Sequence, residues 1–220
     1  MSPLRDNVIF CQSHENKYSH QIPKDQTAIH PRKRPRQARA AATFDAILEA
    51  AARILEKDGF DSVNTNAVAE LAGVSVGSLY QYFPTKESIL AELVRFYRNI
   101  LREKVESAVA WGTDKTLEET IDLLLDAAVS HQLERPELAL ALEQVESILP
   151  LDKETLALTQ TMVDNVEMLL SAHNVSNPGE ASRDIVALVR GIVDAAGLAK
   201  EVDQAAIHRR VRRAVFGYLS

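Results

Sequence analysis

The sequence predicts an all-α protein of about nine helices, with a three-helix N-terminal helix-turn-helix module followed by a C-terminal helical bundle. Ala, Leu and Val dominate the apolar 46% of the chain, and only 5% is aromatic, which favours helix over strand. No segment alternates between apolar and polar residues as a strand does. Apolar residues instead recur at three- and four-residue spacing from Phe44 to the end of the chain.

The residues before Phe44 divide into a polar tail and a basic arm. Residues 1–30 are polar and lack sustained periodicity, which predicts a mostly disordered tail. Residues 31–42 contain five basic side chains without an acidic one: Arg32, Lys33, Arg34, Arg36 and Arg39. Such a run usually serves only as a solvated, charged surface. Because it directly precedes the helix-turn-helix module, a motif that many DNA-binding proteins use, it predicts contact with DNA and a salt-dependent contribution to affinity.

Start and stop signals mark the helices of the N-terminal module. Its first helix carries an apolar stripe and ends at Gly59: Phe44, Ile47, Leu48, Ala51, Ile54 and Leu55. Asn64 is a good N-cap for the second helix, and Gly73 can take the left-handed conformation that redirects the chain. Ser75 caps a third helix, which runs from about Val76 to Phe83.

The C-terminal part is predicted to be helical throughout. Thr85 caps a long fourth helix that extends to about Trp111. Thr116 with Glu119 forms a capping box for the next helix, and Pro136 suits the first turn of the one after it. The remaining helices are expected at about residues 138–149, 153–172, 178–198 and 204–219.

Charge is distributed unevenly along the chain, whose formal net charge is −6. Residues 1–104 carry 15 Lys and Arg against 12 Asp and Glu, a balance of +3. Residues 105–220 carry 10 against 19, a balance of −9. Because phosphate repels an acidic body, any contact with DNA is expected in the N-terminal half.

The segment AGVSVGSLYQYFPTK, from Ala72 to Lys86, is the most informative in the chain. Leu79 and Phe83 lie one helical turn apart on a face suited to packing, while the other residues of the helix project elsewhere. The pattern fits a recognition helix that enters the major groove. It fits an ordinary helical hairpin equally well, because helix-turn-helix geometry also occurs in proteins that bind no DNA.

Residues 43–93 resemble the N-terminal domain of the TetR family of bacterial transcription regulators. The matching stretches are ILEAAARILEKDGFDSV and VAELAGVSVGSLYQYFPTKESIL. The resemblance implies that the DNA surface comprises Ser75, Val76, Gly77, Ser78, Tyr80, Gln81, Tyr82 and Lys86. It implies a helix-turn-helix domain (43–85) and an effector-binding and dimerisation domain (86–220), which follow the tail (1–30) and the basic arm (31–42) that composition and charge indicate.

The chemistry of these residues indicates separate roles at DNA. Gln81 can pair bidentately with adenine, whereas Ser75, Tyr80 and Tyr82 suit phosphate or sugar contacts. Gly77 allows close approach of the backbone. Lys86 begins the fourth helix, where both its ammonium and the helix N-terminus favour a phosphate. The start of the second helix offers further backbone donors to phosphate: Asn64, Thr65 and Asn66.

Val76 departs from the family pattern, which often has a polar or basic residue at this position. Valine cannot hydrogen-bond a base, but it can pack on a thymine methyl group. Alternatively, Val76 points inward, three residues before Leu79, and contributes only to packing. The sequence supports both readings equally.

The last two helices carry more apolar residues than a helix needs when it packs against its neighbours along a single face. On the first of them these are Ile185, Val186, Leu188, Val189, Ile192, Val193 and Ala196, and on the second Ala206, Ile207, Val211, Val215, Phe216 and Leu219. A buried core helix would explain them. The resemblance implies instead a homodimer through these helices, which would place two recognition helices on a palindromic operator of double-stranded DNA.

The resemblance also implies a small-molecule effector, whose identity the sequence does not give. Five side chains suit the lining of its cavity as well as they suit ordinary packing: Phe96, Trp111, His131, Leu142 and Met162. No spacing of metal ligands and no nucleophile or nucleotide-binding motif is present, so we expect no enzyme, no metal and no cofactor.

The sequence therefore predicts a ligand-responsive transcriptional repressor. The chain has no apolar run of about 18 residues that would indicate a membrane span. Cys11 is its single cysteine, which excludes an intrachain disulfide and suits a reducing cytoplasm. The alternative is a helical ligand-binding or interaction protein that keeps the fold without binding DNA.

Overall fold

A computed structural model describes residues 29–35, 37–112 and 114–220. These residues form nine α-helices and a short 3-10 helix without any strand, which confirms the predicted fold class. The helices are α1 (Ala38–Asp58), the 3-10 helix (Phe60–Ser62), α2 (Thr65–Leu71), α3 (Val76–Tyr82), α4 (Lys86–Trp111), α5 (Leu117–Leu133), α6 (Pro136–Ile148), α7 (Asp152–Ala172), α8 (Pro178–Leu198) and α9 (Gln204–Leu219). The tail up to residue 28 and Arg36 of the basic arm lie outside the described residues.

The helix ends form as the sequence predicts, because each depends on a few neighbouring residues. Asn64 accepts a hydrogen bond from the amide of Ala67 at 3.0 Å and so caps α2. The side chain of Thr85 accepts from the amide of Ser88 at 3.1 Å, at the start of α4. Thr116 and Glu119 form the predicted capping box of α5.

The first of two hydrophobic cores joins the N-terminal module to the C-terminal part. Its buried side chains come from α1, α2, α3, α4, α6 and the segments that flank them, and they include Ile29, Ile47, Leu55, Val63, Val68, Leu79, Phe83, Ile89, Leu90, Leu93, Leu138, Val145 and Leu151. The ring of Phe44 lies 4.8 Å from that of Phe83, measured between centroids. Apolar packing therefore continues past residue 85 into α4 and α6, without a gap between the two modules.

The second core lies between α5, α7, α8 and α9. Its buried residues include Ile121, Leu125, Leu170, Ile207, Val211 and Val215. Many of the apolar residues that suggested a dimer surface on α8 and α9 pack here instead, Ile185 and Val193 among them. Packing within one subunit thus explains the wide apolar face of α8. None of the helices in the described part of the chain is both long and apolar enough to cross a membrane.

Candidate nucleic-acid interface and effector cavity

A tight turn joins α2 to α3 and fixes the angle between them. Gly73 has a φ of 67°, the left-handed conformation predicted for it. Ser75 then accepts a hydrogen bond from the amide of Ser78 at 3.0 Å and caps α3. The hydroxyls of Thr65 and Tyr80, 3.1 Å apart, link the start of α2 to the exposed side of α3. These contacts hold the exposed face of α3 in one orientation.

The exposed face of α3 carries most of the residues expected to contact DNA. Gln81 is exposed, and no hydrogen bond to another described residue holds its amide. Val76 is 37% exposed, so the alternative in which it points inward is wrong. Leu79 on the opposite face is completely buried, as predicted. Val76 therefore presents methyl groups on the exposed side of α3, which also carries Tyr80.

Gly77 lies on the same face, and nothing within the subunit requires a glycine there. A Cβ built at this position would meet only the Ser75 hydroxyl, at 3.9 Å. Glycine inside a helix costs roughly 0.5–1 kcal/mol relative to alanine. Because no side chain of the subunit fills the space above Gly77, the backbone is open to close approach by another molecule.

Tyr82 is less exposed than we expected of a residue on the DNA-contacting surface. Its side chain is only 8% exposed, and its ring packs edge-on against Phe44 at 5.9 Å between centroids. The ammonium of Lys33 lies 5.0 Å from the centroid of the same ring. Most of the ring is therefore used in packing against Phe44 and Lys33, and little of the side chain is left for the predicted DNA contact.

The remaining predicted residues lie at helix starts beside α3. Lys86 is half-buried in the first turn of α4, where its ammonium stands 4.7 Å from the centroid of the Phe60 ring. Asn64 uses its carbonyl oxygen to cap α2 and its amide to donate to the Ser62 carbonyl, so its polar atoms are engaged within the subunit. Asn66, the second residue of α2, is exposed.

The described part of the basic arm is attached to the helix-turn-helix module. The amide of Arg32 donates to the carbonyl of Tyr82 at 2.7 Å. Arg34 forms an ion pair of 2.9 Å with Glu92, which is buried in α4. Arg32, Lys33 and Arg39 keep exposed side chains. The arm therefore brings positive charge to the C-terminal end of α3.

Ile29 attaches this arm to the first core, a role that no pattern in the sequence indicates. It lies in the segment expected to be a tail, yet its side chain is 1% exposed in the first core. Its carbonyl accepts a hydrogen bond of 2.9 Å from Nη1 of Arg95 in α4. A single isoleucine in a polar segment has no periodicity to reveal it.

Arg95 and Arg98, one turn apart on α4, connect this region to α6 and α7. Arg95 forms two hydrogen bonds of 2.8 Å to the carboxylate of Glu154. Arg98 binds Glu146 of α6 through Nε at 3.1 Å and Nη2 at 2.8 Å. It also donates to the hydroxyl of Thr155. The first arginine thus contacts the arm, and the second reaches the interior of the bundle.

A cavity of about 270 Å³ lies between α4, α5, α6, α7 and α8. Its walls are mainly aliphatic and include Leu101, Leu125, Ala128, Leu158, Val166 and Val189. Three of the side chains suggested from the sequence line it: His131, Leu142 and Met162. Phe96 and Trp111 do not line it, because their side chains are 46% and 74% exposed on the outside of α4.

Polar groups interrupt the apolar lining at a few points. Burial lowers the pKa of His131 to about 4, and the nearby Lys104 ammonium adds to this effect. His131 is therefore neutral at pH 7. Burial, together with the carboxylate of Asp194, raises the pKa of Glu143. Among the residues the structure describes, no cluster of His, Cys, Asp and Glu is arranged to hold a metal ion.

The geometry of α2 and α3 defines the class: a helix-turn-helix protein, in which α3 has the position of a recognition helix. Residues 47–93 match the profile of bacterial regulatory proteins of the tetR family, and residues 116–219 match the tetracyclin repressor-like C-terminal domain. The chain belongs to the TetR family of bacterial transcription regulators. This assignment confirms the recognised resemblance, and it agrees with the expectation that the chain is not an enzyme.

Curated relatives are similar over a limited stretch. The HTH-type transcriptional repressor KstR of Mycolicibacterium smegmatis is 43% identical over 68 residues, which is 30% of this chain and 33% of that protein. KstR2 of Rhodococcus jostii is 32% identical over 83 residues, 37% of this chain and 41% of that protein. The matches thus span between a third and two fifths of these relatives' own length.

Solved structures share the fold at low sequence identity. A TetR-family regulator from Mesorhizobium loti superposes with a TM-score of 0.67 at 16% identity, covering 83% of this chain and 98% of that one. The fatty acid degradation regulator FadR of Bacillus halodurans superposes with a TM-score of 0.64 at 18% identity, covering 80% and 95%. At these identities the likeness establishes the fold.

Proposed function

We propose that this protein is a transcriptional repressor that binds a palindromic operator as a homodimer and releases it when a small molecule binds. The observation that carries the proposal is the exposed face of α3, where Gln81 is unpaired and Gly77 leaves the backbone open. Residues 31–85 would bind DNA, while residues 86–220 would bind the effector and form the dimer. Repression is supported by the names of the KstR relatives, which are similar to part of the chain.

Charge supports contact with phosphate on one side of the molecule only. The exposed side chains of Arg32, Lys33 and Arg39 lie near α3, whereas residues 105–220 have a balance of −9. The basic residues would release counterions from DNA, so we expect affinity to fall as salt is raised. The acidic half would be turned away from the duplex.

A homodimer is supported by the outer face of α8. Ala187, Gly191, Ala195 and Leu198 are exposed at helical spacing, and Leu198 is 66% exposed. A Cβ added at Gly191, or at Gly217 of α9, would meet no atom within 4 Å. Small side chains let two helices approach closely, which is what a symmetric contact between two copies of α8 and α9 requires.

The effector would act by shifting a population between two states. A molecule that binds better to the state with splayed recognition helices lowers operator affinity. By linkage, the operator lowers the affinity for that molecule by the same factor. The cavity between α4 and α8 is the proposed binding site.

The proposal is tested with two variants on the DNA surface. The operator is first located by footprinting on DNA upstream of the protein's own gene and at neighbouring promoters. Gln81→Ala should lose about 1–3 kcal/mol of discrimination at particular base pairs, because it removes a bidentate contact. Lys86→Ala should weaken all sequences alike and reduce the slope of log affinity against log salt by about one.

The two variants serve as controls for each other, since one should change sequence preference and the other should not. An unchanged base preference in Gln81→Ala would refute the assignment of that residue. If footprinting finds no protected palindrome at these promoters, the rival function is favoured: a helical ligand-binding protein that keeps the fold without binding DNA.

A further inference from the structure

The cavity between α4, α5, α6, α7 and α8 contains a carboxylate with a free oxygen. Glu143 of α6 lines the cavity and is half-buried. Its Oε1 accepts a hydrogen bond of 3.1 Å from the side-chain amide of Gln132, while Oε2 accepts none from any described residue. Two side-chain atoms of the described chain are both fully buried and unbonded, Nη1 of Arg98 and Nε2 of His208. Oε2 of Glu143 is not one of them, so it keeps accessible surface and a ligand can reach it.

The cavity walls supply no cation for this carboxylate. Each arginine of the lining already has a carboxylate partner within the subunit: Arg98 with Glu146 at 2.8 Å, Arg190 with Asp194 at 3.4 Å, and Arg135 with Glu49 at 3.1 Å. Burial lowers the pKa of His131 in the lining to about 4, so its ring is neutral at pH 7. Glu143 itself forms no ion pair with a described residue.

The surroundings of Glu143 make its charged form costly. Burial and the carboxylates of Asp194 and Glu146 raise the pKa of Glu143. The hydrogen bond from Gln132 and the charge of Arg190 offset this rise only in part. A cation beside Oε2 would stabilise the charged form against both burial and repulsion. The free oxygen therefore favours a ligand that carries a positive charge.

Ligands of other charge fit this site less well. A carboxylate ligand would be repelled by Glu143, and every arginine of the lining is already paired. An uncharged hydroxyl can donate to Oε2, but it leaves the negative charge unbalanced. A protonated amine donates an N–H and balances the charge, and hydrogen bonds between charged groups are stronger than those between neutral groups. The rest of the lining is mainly aliphatic, so it suits an alkyl chain.

We propose that the cavity binds a mainly aliphatic molecule with one protonated amine, which donates its N–H to Oε2 of Glu143. The volume of about 270 Å³ suits about nine nonhydrogen atoms, given about 30 Å³ per atom of the size of water. This inference rests on the proposed function in treating the cavity as the effector site, and it adds the chemical class of the effector. Binding itself is measured without DNA.

The test compares three probes of about nine nonhydrogen atoms each. Octylamine is positively charged at pH 7, octan-1-ol is neutral and heptanoate is negatively charged. Calorimetry on the full-length protein at pH 7 should show octylamine binding at least about tenfold more tightly than the other two, because only octylamine forms a hydrogen bond between charged groups. Equal or tighter binding of octan-1-ol or heptanoate would overturn the proposal, as would failure of octylamine to bind.

Glu143→Gln then locates the amine. The variant keeps the shape of the side chain and an oxygen that can accept from Gln132, but it removes the charge. It should weaken octylamine at least about tenfold and leave octan-1-ol unchanged. Glu137→Gln is the matched control, because Glu137 is exposed on the same helix and outside the cavity lining, and it should bind both probes as the parent protein does. If Glu143→Gln weakened both probes alike, or neither, the assignment of Glu143 would be wrong.

Ala128→Phe keeps the test decisive if Glu143→Gln does not fold. Ala128 lines the cavity, so a phenyl ring there would fill the space without removing Glu143. Binding of octylamine should be abolished in this variant, and undiminished binding would show that the amine lies on the acidic surface and not in the cavity.

The outcomes for the cavity and for DNA can be told apart. A protein that binds octylamine through Glu143 but binds no operator would refute the proposed function alone. One that binds its operator but not octylamine would refute this inference alone.

Discussion

In the proposed DNA interface, the glycine at position 77 allows close approach of DNA and does not stabilise the helix that carries it. Alanine at this position would fit the subunit without a clash, because only the Ser75 hydroxyl lies within 4 Å of the added methyl group. The cost of glycine is therefore not explained by packing within the chain.

Gly77→Ala should raise the free energy of unfolding by about 0.5–1 kcal/mol, because the unfolded chain loses conformational freedom. The same variant should weaken operator binding, because its methyl group stands between the backbone and the groove. Chemical denaturation and a DNA titration measure the two effects on one preparation. Operator affinity that stays unchanged would mean that α3 does not approach the groove along this face.

His131 should give the protein a pH-dependent stability between pH 7 and 4. The pKa is about 4 in the folded protein against an ordinary 6.5, so the unfolded chain takes up a proton first as the pH falls. Stability contributed by neutral His131 is thus present above pH 6.5 and is lost as the pH falls towards 4. The loss is on the order of 3 kcal/mol.

His131→Gln removes this titration and keeps a polar side chain in the cavity wall. Denaturation of both proteins at several pH values should show that the parent loses more stability than the variant on acidification. Taking the difference between the two proteins cancels the carboxyl groups that titrate in the same range. Parallel stability curves would show that His131 does not carry the effect.

Contacts between residues close in sequence could be predicted, whereas contacts between residues distant in sequence could not. The caps at Asn64, Ser75 and Thr116 were predicted because each bonds an amide within three residues. Arg95 could not be predicted, because its partners Ile29 and Glu154 lie 66 and 59 residues away in sequence. The burial of Tyr82 depends likewise on Phe44, on another helix.

At the scale of elements, α4 contributes residues to the first core, to the attachment of the arm and to the cavity. Its first turns belong to the first core, Arg95 holds the arm and Arg98 lines the cavity. The sequence predicted the length of α4 from its apolar residues and the Thr85 cap. It could not predict which face of the helix would contact the arm, because that depends on α6 and α7.

Arg95→Met should loosen the arm. The variant removes the donor to the Ile29 carbonyl and one of the two partners of buried Glu92, at a cost of about 1–3 kcal/mol in stability. Limited trypsin digestion should cleave after Arg32 or Lys33 faster than in the parent protein.

Arg102→Met is the matched control, because its described contacts, Asn99 and Glu106, are both within α4. Digestion of the arm should proceed at the parent rate in this control. If trypsin cleaved the arm of Arg95→Met no faster than that of the parent protein, the contact between Arg95 and Ile29 would not hold the arm in solution.

At the scale of the whole molecule, the outer face of α8 is the proposed contact that would bring two recognition helices together. Gly191→Arg should convert a dimer to a monomer, because the long side chain fills the space that a second α8 would occupy, while the subunit itself has room for it. Analytical ultracentrifugation measures the change in mass.

Ala157→Arg, exposed on α7, adds the same charge away from this face and should leave the mass unchanged. Operator affinity should fall only in Gly191→Arg, because a monomer contacts one half-site. A dimer that survives this substitution would place the interface on another surface.

Arg135 links α6 to α1, so we expect these two helices to move together. From the N-terminus of α6 it binds Glu56 of α1 at 2.5 Å and Glu49 at 3.1 Å, so α6 is clamped to the helix that carries the N-terminal module. A tilt of the recognition helix must then carry α6 with it, and α6 forms one wall of the cavity. The hinge of such a motion would lie within α4, beyond the first core, and not at residue 85. We therefore expect α6 to move with the N-terminal module, although it belongs to the C-terminal part of the sequence.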